Sequence, residues 1–397
     1  MERKTWRKLL TLMISILLVC GICFTAYADN TANDEFVIEG RTLVKYNGMG
    51  GEVTVPEGVE VLGEWAFNKA NVTKVNLPET LKEIECYCFF ECRELEDITL
   101  PASLSKIGKM QSFAYNTSLK AINVAEGNPY FASVDGVLFS KNLTKLLYYP
   151  AGRDVGGEYA IPEGTKELGG SAIEDTGLTA IEIPSTLVRL YNGNDLSDNP
   201  ALKEIRVAKE NPAFHAVDGM LFDNAGTLLC YPAGREEETL GAGDFPAEMK
   251  AIAPYAFQFA QHLKTVEIPD GIKSIEWMCF TFSPSLESVT LPASVNYIAG
   301  YAFANCDNLS RVTILNPDAY IVLDDERFDD DYRAKMNFNI VDDSPGAVLY
   351  GYENSTTQEY AKQRKDVFVS LGAAPAKDPN ATVEPVVISD FMPECQK

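Results

Sequence analysis

A proline returns through the chain at a fixed phase: Pro56, Pro78, Pro101, Pro162, Pro184, Pro246, Pro269 and Pro292, with gaps of 22, 23, 61, 22, 62, 23 and 23. Each long gap fits one repeat plus an insertion. A unit of about 23 residues is too short to be a domain, so the period decides the fold more than the 397-residue length does. Three residues after the proline stands an apolar side chain (Val59, Leu81, Leu104, Leu187, Met249, Ile272, Val295). Six after it comes another (Leu62, Ile84, Ile107, Leu168, Leu190, Ile252, Ile275, Ile298), and eleven after it a phenylalanine (Phe67, Phe89, Phe257, Phe280, Phe303), with Phe113 one step late.

One such unit cannot bury a phenylalanine and several aliphatics by itself. Stacked copies can, because each coil covers the next, so the pattern predicts a repeat solenoid. Segments such as Ile98-Thr99-Leu100 and Val289-Thr290-Leu291 alternate apolar and polar, which reads as short strands that stack into a parallel sheet. Proline, lacking an amide proton, ends each strand. The stretch seven to twelve residues later, rich in Gly, Ala and Phe, is expected as a short helix or turn on the opposite side. Trp65, Tyr87, Tyr255 and Tyr301, nine after the proline, are expected to cover that side.

Two insertions, near 125–158 and 208–243, resemble each other: Asn128-Pro129 through Asp135-Gly136 to Pro150-Ala151-Gly152-Arg153, and Asn211-Pro212 through Asp218-Gly219 to Pro232-Ala233-Gly234-Arg235. Each reads as a β-hairpin turning at Lys141-Asn142 or at Asn224-Ala225-Gly226. Phe36 to Gly48 looks like half of the same element, and residues 29–52 are expected to cap the first coil. The repeat is expected to span 53–315, followed by a C-terminal cap at 316–371 and a disordered tail at 372–397.

Residues 1–28 read as a signal peptide. Arg3, Lys4, Arg7 and Lys8 precede an apolar run, and Ala26-Tyr27-Ala28 places cleavage after Ala28. No later apolar run is long enough to span a bilayer. Loss of four basic and one acidic residue takes the net charge from −23 to −26, a surface that repels phosphate backbones, so nucleic acid is not an expected partner. Seven cysteines then remain (Cys86, Cys88, Cys92, Cys230, Cys279, Cys306, Cys395), an odd number without regular pairing. Cys88 and Cys279 fill the small position before the phenylalanine, and Cys92 and Cys306 the small position fourteen after the proline. They read as buried small hydrophobes rather than metal or redox groups. The acidic runs Asp324-Asp325-Glu326 and Asp329-Asp330-Asp331 lack the spacing of a calcium loop and read as a solvated capping loop.

The composite Leu-x-x-Ile-x-Leu-Pro-x-x-Leu-x-x-Ile-x-x-x-x-Phe-x-x-Cys, clearest from Leu95 onward and from Leu286 to Cys306, resembles the BspA-type leucine-rich-repeat family over about residues 36–371. The Asp-Gly-Val-Leu-Phe and Tyr-Pro-Ala-Gly-Arg inserts and Tyr360-Ala361-Lys362 are similar to it too. The resemblance implies a curved solenoid with its parallel sheet on the concave face, and a secreted or surface-exposed bacterial protein with an adhesive role. No cell-wall anchor is legible in the sequence, and the asparagine ladder of other leucine-rich repeats is absent.

The function expected is therefore non-enzymatic binding, as a monomer, of a protein or glycan at the cell surface, with no cofactor and no metal. Outward strand positions supply the candidate residues: Lys74, Asn76, Asp97, Thr99, Thr265, Glu267, Ser288, Thr290, Arg311 and Thr313. The alternatives are a passive structural component of a surface assembly and a hydrolase acting on polysaccharide or peptidoglycan. The second finds little support: His215 and His262 fall in different coils, in expected turns, without a phased Ser or Cys partner.

Overall fold

The computed structural model describes residues 35–108, 111–153, 156–191, 195–324 and 333–376. The expected signal peptide with its expected cleavage site at Ala28, Cys395, most of the acidic run and residues from 377 onward lie outside them. The chain divides into two compact units, Thr31–Asn224 with Cys230–Gly234, and Ala225–Leu229 with Arg235–Lys397. Both are parallel β-solenoids of about 23-residue coils.

In the N-terminal unit the strands before Pro56, Pro78 and Pro101, Gly51–Thr54, Val72–Asn76 and Asp97–Leu100, form a parallel sheet in chain order with Ala121–Val124. A second row of two-residue strands runs alongside: Val61–Leu62, Glu83–Ile84 and Lys106–Ile107, also parallel. The apolar residue six after the proline thus belongs to a strand of its own at Leu62, Ile84 and Ile107. Strand Thr42–Tyr46 begins this row, pairing parallel with Val61–Leu62 and antiparallel with Phe36–Glu39. A further parallel sheet joins Glu158–Ala160, Ala180–Ile183 and Glu204–Val207.

Of the short helix or turn expected on the third side of each coil, the structure holds turns. Two residues per coil there, nine and thirteen after the proline, take positive φ: Trp65 (62°) and Lys69 (60°), Tyr87 (58°) and Glu91 (57°), Tyr255 (63°) and Phe259 (61°), Tyr301 (57°) and Asn305 (56°). A left-handed non-glycine residue costs about 1–2 kcal/mol and ends any right-handed helix, which decides between the two alternatives in favour of the turn. The compensation is a ladder between coils. The Phe67 amide donates to Cys88 O at 2.9 Å and the Lys69 amide to Phe90 O at 2.9 Å; Phe257 and Phe259 reach Cys279 O and Thr281 O at 2.9 and 3.1 Å.

The phenylalanines stand in rows through the two cores. Tyr46, Phe67, Phe89 and Phe113 follow one another at centroid distances of 5.0, 5.0 and 5.4 Å, and Phe257, Phe280 and Phe303 at 4.7 and 5.5 Å. Phe89, Phe257, Phe280 and Phe303 are wholly buried. Each ring contributes about 1.5–3 kcal/mol by burial, and its contact with the next coil about 0.5–1.5 kcal/mol more.

At the position fourteen after the proline Ala70 and Ala260 only fill space, whereas the Cys and Ser side chains there are hydrogen-bond donors as well. Cys92 Sγ donates to Phe67 O at 2.9 Å, Ser283 Oγ to Phe257 O at 3.0 Å and Cys306 Sγ to Phe280 O at 3.1 Å. Asn199 Nδ2 likewise donates to Ile173 O at 2.8 Å. Thiol and hydroxyl groups thus make these bonds in most of the places where other leucine-rich repeats carry an asparagine ladder. Burial pushes the Cys92 and Cys306 thiols up to about 12, which keeps their donor protons in place at neutral pH.

The first insertion has three strands rather than two. Phe131–Val134 pairs antiparallel with Val137–Ser140 around Asp135-Gly136, where both residues have positive φ (50° and 80°). Two left-handed central residues make the tight hairpin turn that Asp-Gly favours, so Asp-Gly, read from sequence as part of a strand, is itself a turn. Lys145–Tyr148 then returns antiparallel and joins Glu167–Leu168 in parallel. Phe214–Val217 and Met220–Asp223 repeat the first hairpin around Asp218-Gly219. Asn128 anchors its insertion. Its Nδ2 donates to Pro101 O and Leu104 O, both at 2.9 Å, and its Oδ1 accepts from the Tyr130 and Phe131 amides at 2.8 and 2.9 Å. Asn211 makes the same four bonds in the second copy. Gly152 and Gly234, from the two Pro-Ala-Gly-Arg motifs, lie against the backbone of an earlier coil, where a Cβ would meet Ser118 C at 2.5 Å or Ala201 C at 2.6 Å. Only glycine fits there.

In the C-terminal unit the parallel sheet runs Thr239–Leu240, Thr265–Glu267, Ser288–Leu291, Arg311–Ile314, Val348–Gly351 and Val367–Ser370. The ladder thus continues past residue 315, where the sequence pattern fades. Phe303 N donates to Ile340 O and Ser344 Oγ to Phe303 O, so residues 338–344 supply the turn and the ladder donor of another coil. A nine-residue helix, Thr356–Arg364, connects the last two strands.

Candidate functional site

Strand alternation turns every second side chain of the pre-proline sheet outward, and parallel pairing sets equivalent residues of successive coils about 4.8 Å apart. In the N-terminal unit, Glu52, Lys74 and Asp97 are register partners in turn, as are Thr54 with Asn76 and Thr99 with Asn123. Lys74 and Thr99 are exposed, Asn76 and Asp97 half-buried. Lys74 Nζ lies 3.2 Å from Glu52 Oε1; Asn76 Nδ2 donates to the same oxygen at 3.2 Å and to Thr54 Oγ1 at 3.1 Å. The Asn76 amide, followed by the Lys74 ammonium, holds the Glu52 carboxyl below its ordinary range. A depression of about 160 Å³ opens here, lined by Lys74, Asn76, Glu79, Asp97, Thr99 and Ala125 among others. Small-molecule sites occupy about 300–1,000 Å³, so this is a dimple in a surface rather than a substrate pocket.

In the C-terminal unit, Thr265, Ser288 and Arg311 form one outward file and Glu267, Thr290, Thr313 and Tyr350 the next. Arg311 and Glu267 are exposed. The Arg311 guanidinium lies over the Tyr350 ring at 3.7 Å, leaving an aromatic–cation platform at the end of the file. Thr313 is a correction to the sequence reading. It is buried, 8% exposed, between the strands of Thr290 and Tyr350, and offers no contact surface. Glu52, Thr54 and Tyr350 are face residues that the sequence reading omitted. So are Glu182 and Arg206, register partners on the sheet of Glu158–Ala160, where Arg206 Nη2 lies 2.7 Å from Glu158 Oε2. The phase of Pro162 and Pro184 would have placed Glu158 and Glu182, but the flanking insertions broke the count.

The aromatic stripe divides between the units. Trp65 and Tyr87 stack half-buried at 4.2 Å and 2°, while Tyr255 and Tyr301 are buried with Trp277 and Phe338. His215, expected in a turn, stands in strand Phe214–Val217 with its ring stacked on Phe222 at 5.7 Å; His262 is exposed in a bend.

One cluster of perturbed acids lies inside the N-terminal unit. Glu174 and Asp198 are 6% and 8% exposed, and burial pushes both carboxyls upward, each reinforced by acidic neighbours. Tyr115 Oη donates to Asp198 Oδ2 at 2.5 Å, and Gln111 Nε2 to Glu174 Oε2 at 3.3 Å. Asp195, fully buried, accepts the Tyr191 amide at 2.5 Å. These acids serve as hydrogen-bond acceptors of the core. Among the described residues no group of three or more His, Cys, Asp or Glu is placed to hold a metal ion, and no helix is long and apolar enough to cross a membrane.

Stacked strands, inward leucines at a fixed phase and a donor ladder together define a leucine-rich-repeat solenoid. The family described as BspA type leucine-rich repeat region matches residues 47–149 and 237–331 in six copies, and the chain belongs to this family. Among curated proteins none matches the sequence. Three solved structures are similar. A leucine-rich repeat protein from Eubacterium ventriosum has TM-score 0.45 and 18% identity, over 66% of this chain and 67% of that one. The pneumococcal vaccine antigen PcpA has TM-score 0.41 and 16% identity, over 86% and 96%. A leucine-rich cell surface protein from Faecalibacterium prausnitzii has TM-score 0.42 and 21% identity, over 85% and 98%.

Proposed function

We propose that this protein is an exported, non-enzymatic adhesion module that binds a protein or glycan at the cell surface through the outward face of its parallel sheets. The observation that carries this reading is the file of polar side chains from successive coils, Glu52, Lys74 and Asp97 beside Thr54 and Asn76, held in register by the ladder beneath them. Such a face is rigid before binding, so little ordering entropy opposes association. It mixes both charges with hydroxyl and amide groups, which suits a polar protein surface or a hydroxyl-rich glycan. The dimple at Asp97 and Thr99 and the Arg311–Tyr350 platform are the two places where a partner side chain or sugar ring would seat.

The test is capture of the exported chain on panels of purified extracellular proteins and of glycans. Asp97→Lys and Glu267→Lys are compared with the unaltered chain, and circular dichroism checks folding. The reading expects a ligand whose capture falls at least about tenfold in one of the two variants, or about 1.4 kcal/mol. Capture unchanged in both would remove these faces from consideration. Binding to no panel member would favour a passive structural role.

A further inference from the structure

The six-stranded sheet of the C-terminal unit ends on Val367–Ser370, and among the described residues no strand pairs with its far edge. This edge differs from the rest of the face. Thr265, Glu267, Ser288, Thr290 and Arg311 are polar where they point outward, whereas here Val367 and Val369 stand 60% and 40% exposed, followed by Leu371 at 39%. Phe368, register partner of the fully buried Leu349, is itself only half-buried. The run Val367–Leu371 contains no charge and no proline, the devices by which sheet edges are ordinarily kept from pairing. An unprotected apolar edge of this kind calls for a strand.

The chain carries one at the right distance. Val367-Phe368-Val369-Ser370 follows Val348–Gly351 by 19 residues, and Val386-Val387-Ile388-Ser389 follows Val367–Ser370 by 19 again. We propose that Val386–Ser389, which lies outside the described residues, adds to this edge as the next parallel strand, with Val386 beside Val367 and Ser389 beside Ser370. The chemistry of the two segments matches position by position. Val387 falls beside Phe368 on the inward side, while Val386 and Ile388 flank Val367 and Val369 on the outward side. The connection, residues 371–385, has 15 residues, enough for a parallel crossover, which needs about a dozen or more. The added strand would turn the apolar edge into an interior rung and close the last coil.

Hydrogen exchange followed by mass spectrometry tests this on the full chain, on a chain ending at Ala376 and on the full-length Val387→Pro variant. In the full chain the amides of 386–389 should exchange at least about tenfold slower than unstructured peptide. Ending the chain at Ala376 should speed exchange of 367–370 by about tenfold, and Val387→Pro should reproduce that change. Unaltered protection at Val289 and Val312 would show that the sheet itself is intact. Exchange of 386–389 at the unstructured rate, or no effect of truncation on 367–370, would overturn the proposal. Protection that grows with protein concentration, together with a doubled mass in light scattering, would assign the strand to a second copy and overturn the in-chain placement.

Discussion

Replacing Asn128 by alanine removes four hydrogen bonds with one substitution. The side chain is fully buried and saturated, with both amide protons on Pro101 O and Leu104 O and both acceptor sites on Tyr130 N and Phe131 N. A buried group left unpaired costs about 1–3 kcal/mol. Two of the four are relieved: Pro101 O keeps the Leu104 amide at 3.2 Å, and Tyr130 is 53% exposed, so water can reach its amide. The remaining loss is about 3 kcal/mol, a large fraction of the stability of an ordinary domain. Urea titration followed by far-ultraviolet circular dichroism reads it as a lowered midpoint, the slope m being compared to confirm that the same cooperative unit unfolds. Asn128→Asp discriminates further. It retains an acceptor for the two amides but turns a carboxylate oxygen toward the carbonyls of Pro101 and Leu104, and it should cost at least as much as alanine. Asn211→Ala, with the same four partners in the second copy, should lose a similar amount. A change below about 0.5 kcal/mol for Asn128→Ala, the level of an ordinary surface substitution, would refute the assignment of these asparagines as anchors.

Two other outcomes follow from the interior. Cys92→Ser keeps a donor for Phe67 O, and Ser283 makes the equivalent bond to Phe257 O, so it should lie within about 1 kcal/mol of the unaltered chain; Cys92→Ala, losing donor and volume, should cost about 1–2 kcal/mol more in the same urea assay, and equal costs would argue against the ladder. The acid cluster sets a pH dependence. Glu174 and Asp198 hold their protons more tightly folded than unfolded, with Asp195, Asp175 and Tyr115 as their titratable neighbours, so their contribution is complete below the ordinary carboxylate range and is lost as pH rises through neutrality. The unfolding free energy of Glu174→Gln, read by urea titration, should therefore gain on that of the unaltered chain between pH 5 and pH 8, by up to about 1.4 kcal/mol per pH unit, and a parallel pH course for the two would contradict the burial of that proton.

The repeat period, the inward leucines and the phenylalanine row were legible in the residues alone, because a coil of this size has no other way to remove Phe67, Phe89, Phe257, Phe280 and Phe303 from water. Outward strand positions were legible for the same reason: a period of two leaves one choice of face once Ile98 or Val289 is inward. Composition left helix and turn both open where backbone geometry outweighs side-chain type. Trp65, Tyr87 and Lys69 carry no turn signal, yet they adopt left-handed φ because only that conformation aims their stretch's amides at the next coil, a partner absent from local sequence. Cys92 and Cys306 read as filler because their acceptors, Phe67 O and Phe280 O, are 25 and 26 residues away in the chain and adjacent only after stacking. Thr313 reads as a surface threonine until Tyr350, brought alongside from beyond a faded repeat, covers it. Sequence determined which side chains must be hidden, since that is a property of the residues themselves. Tertiary structure decided where the polar backbone finds its partners and which outward positions stay open, since both depend on the neighbouring coil.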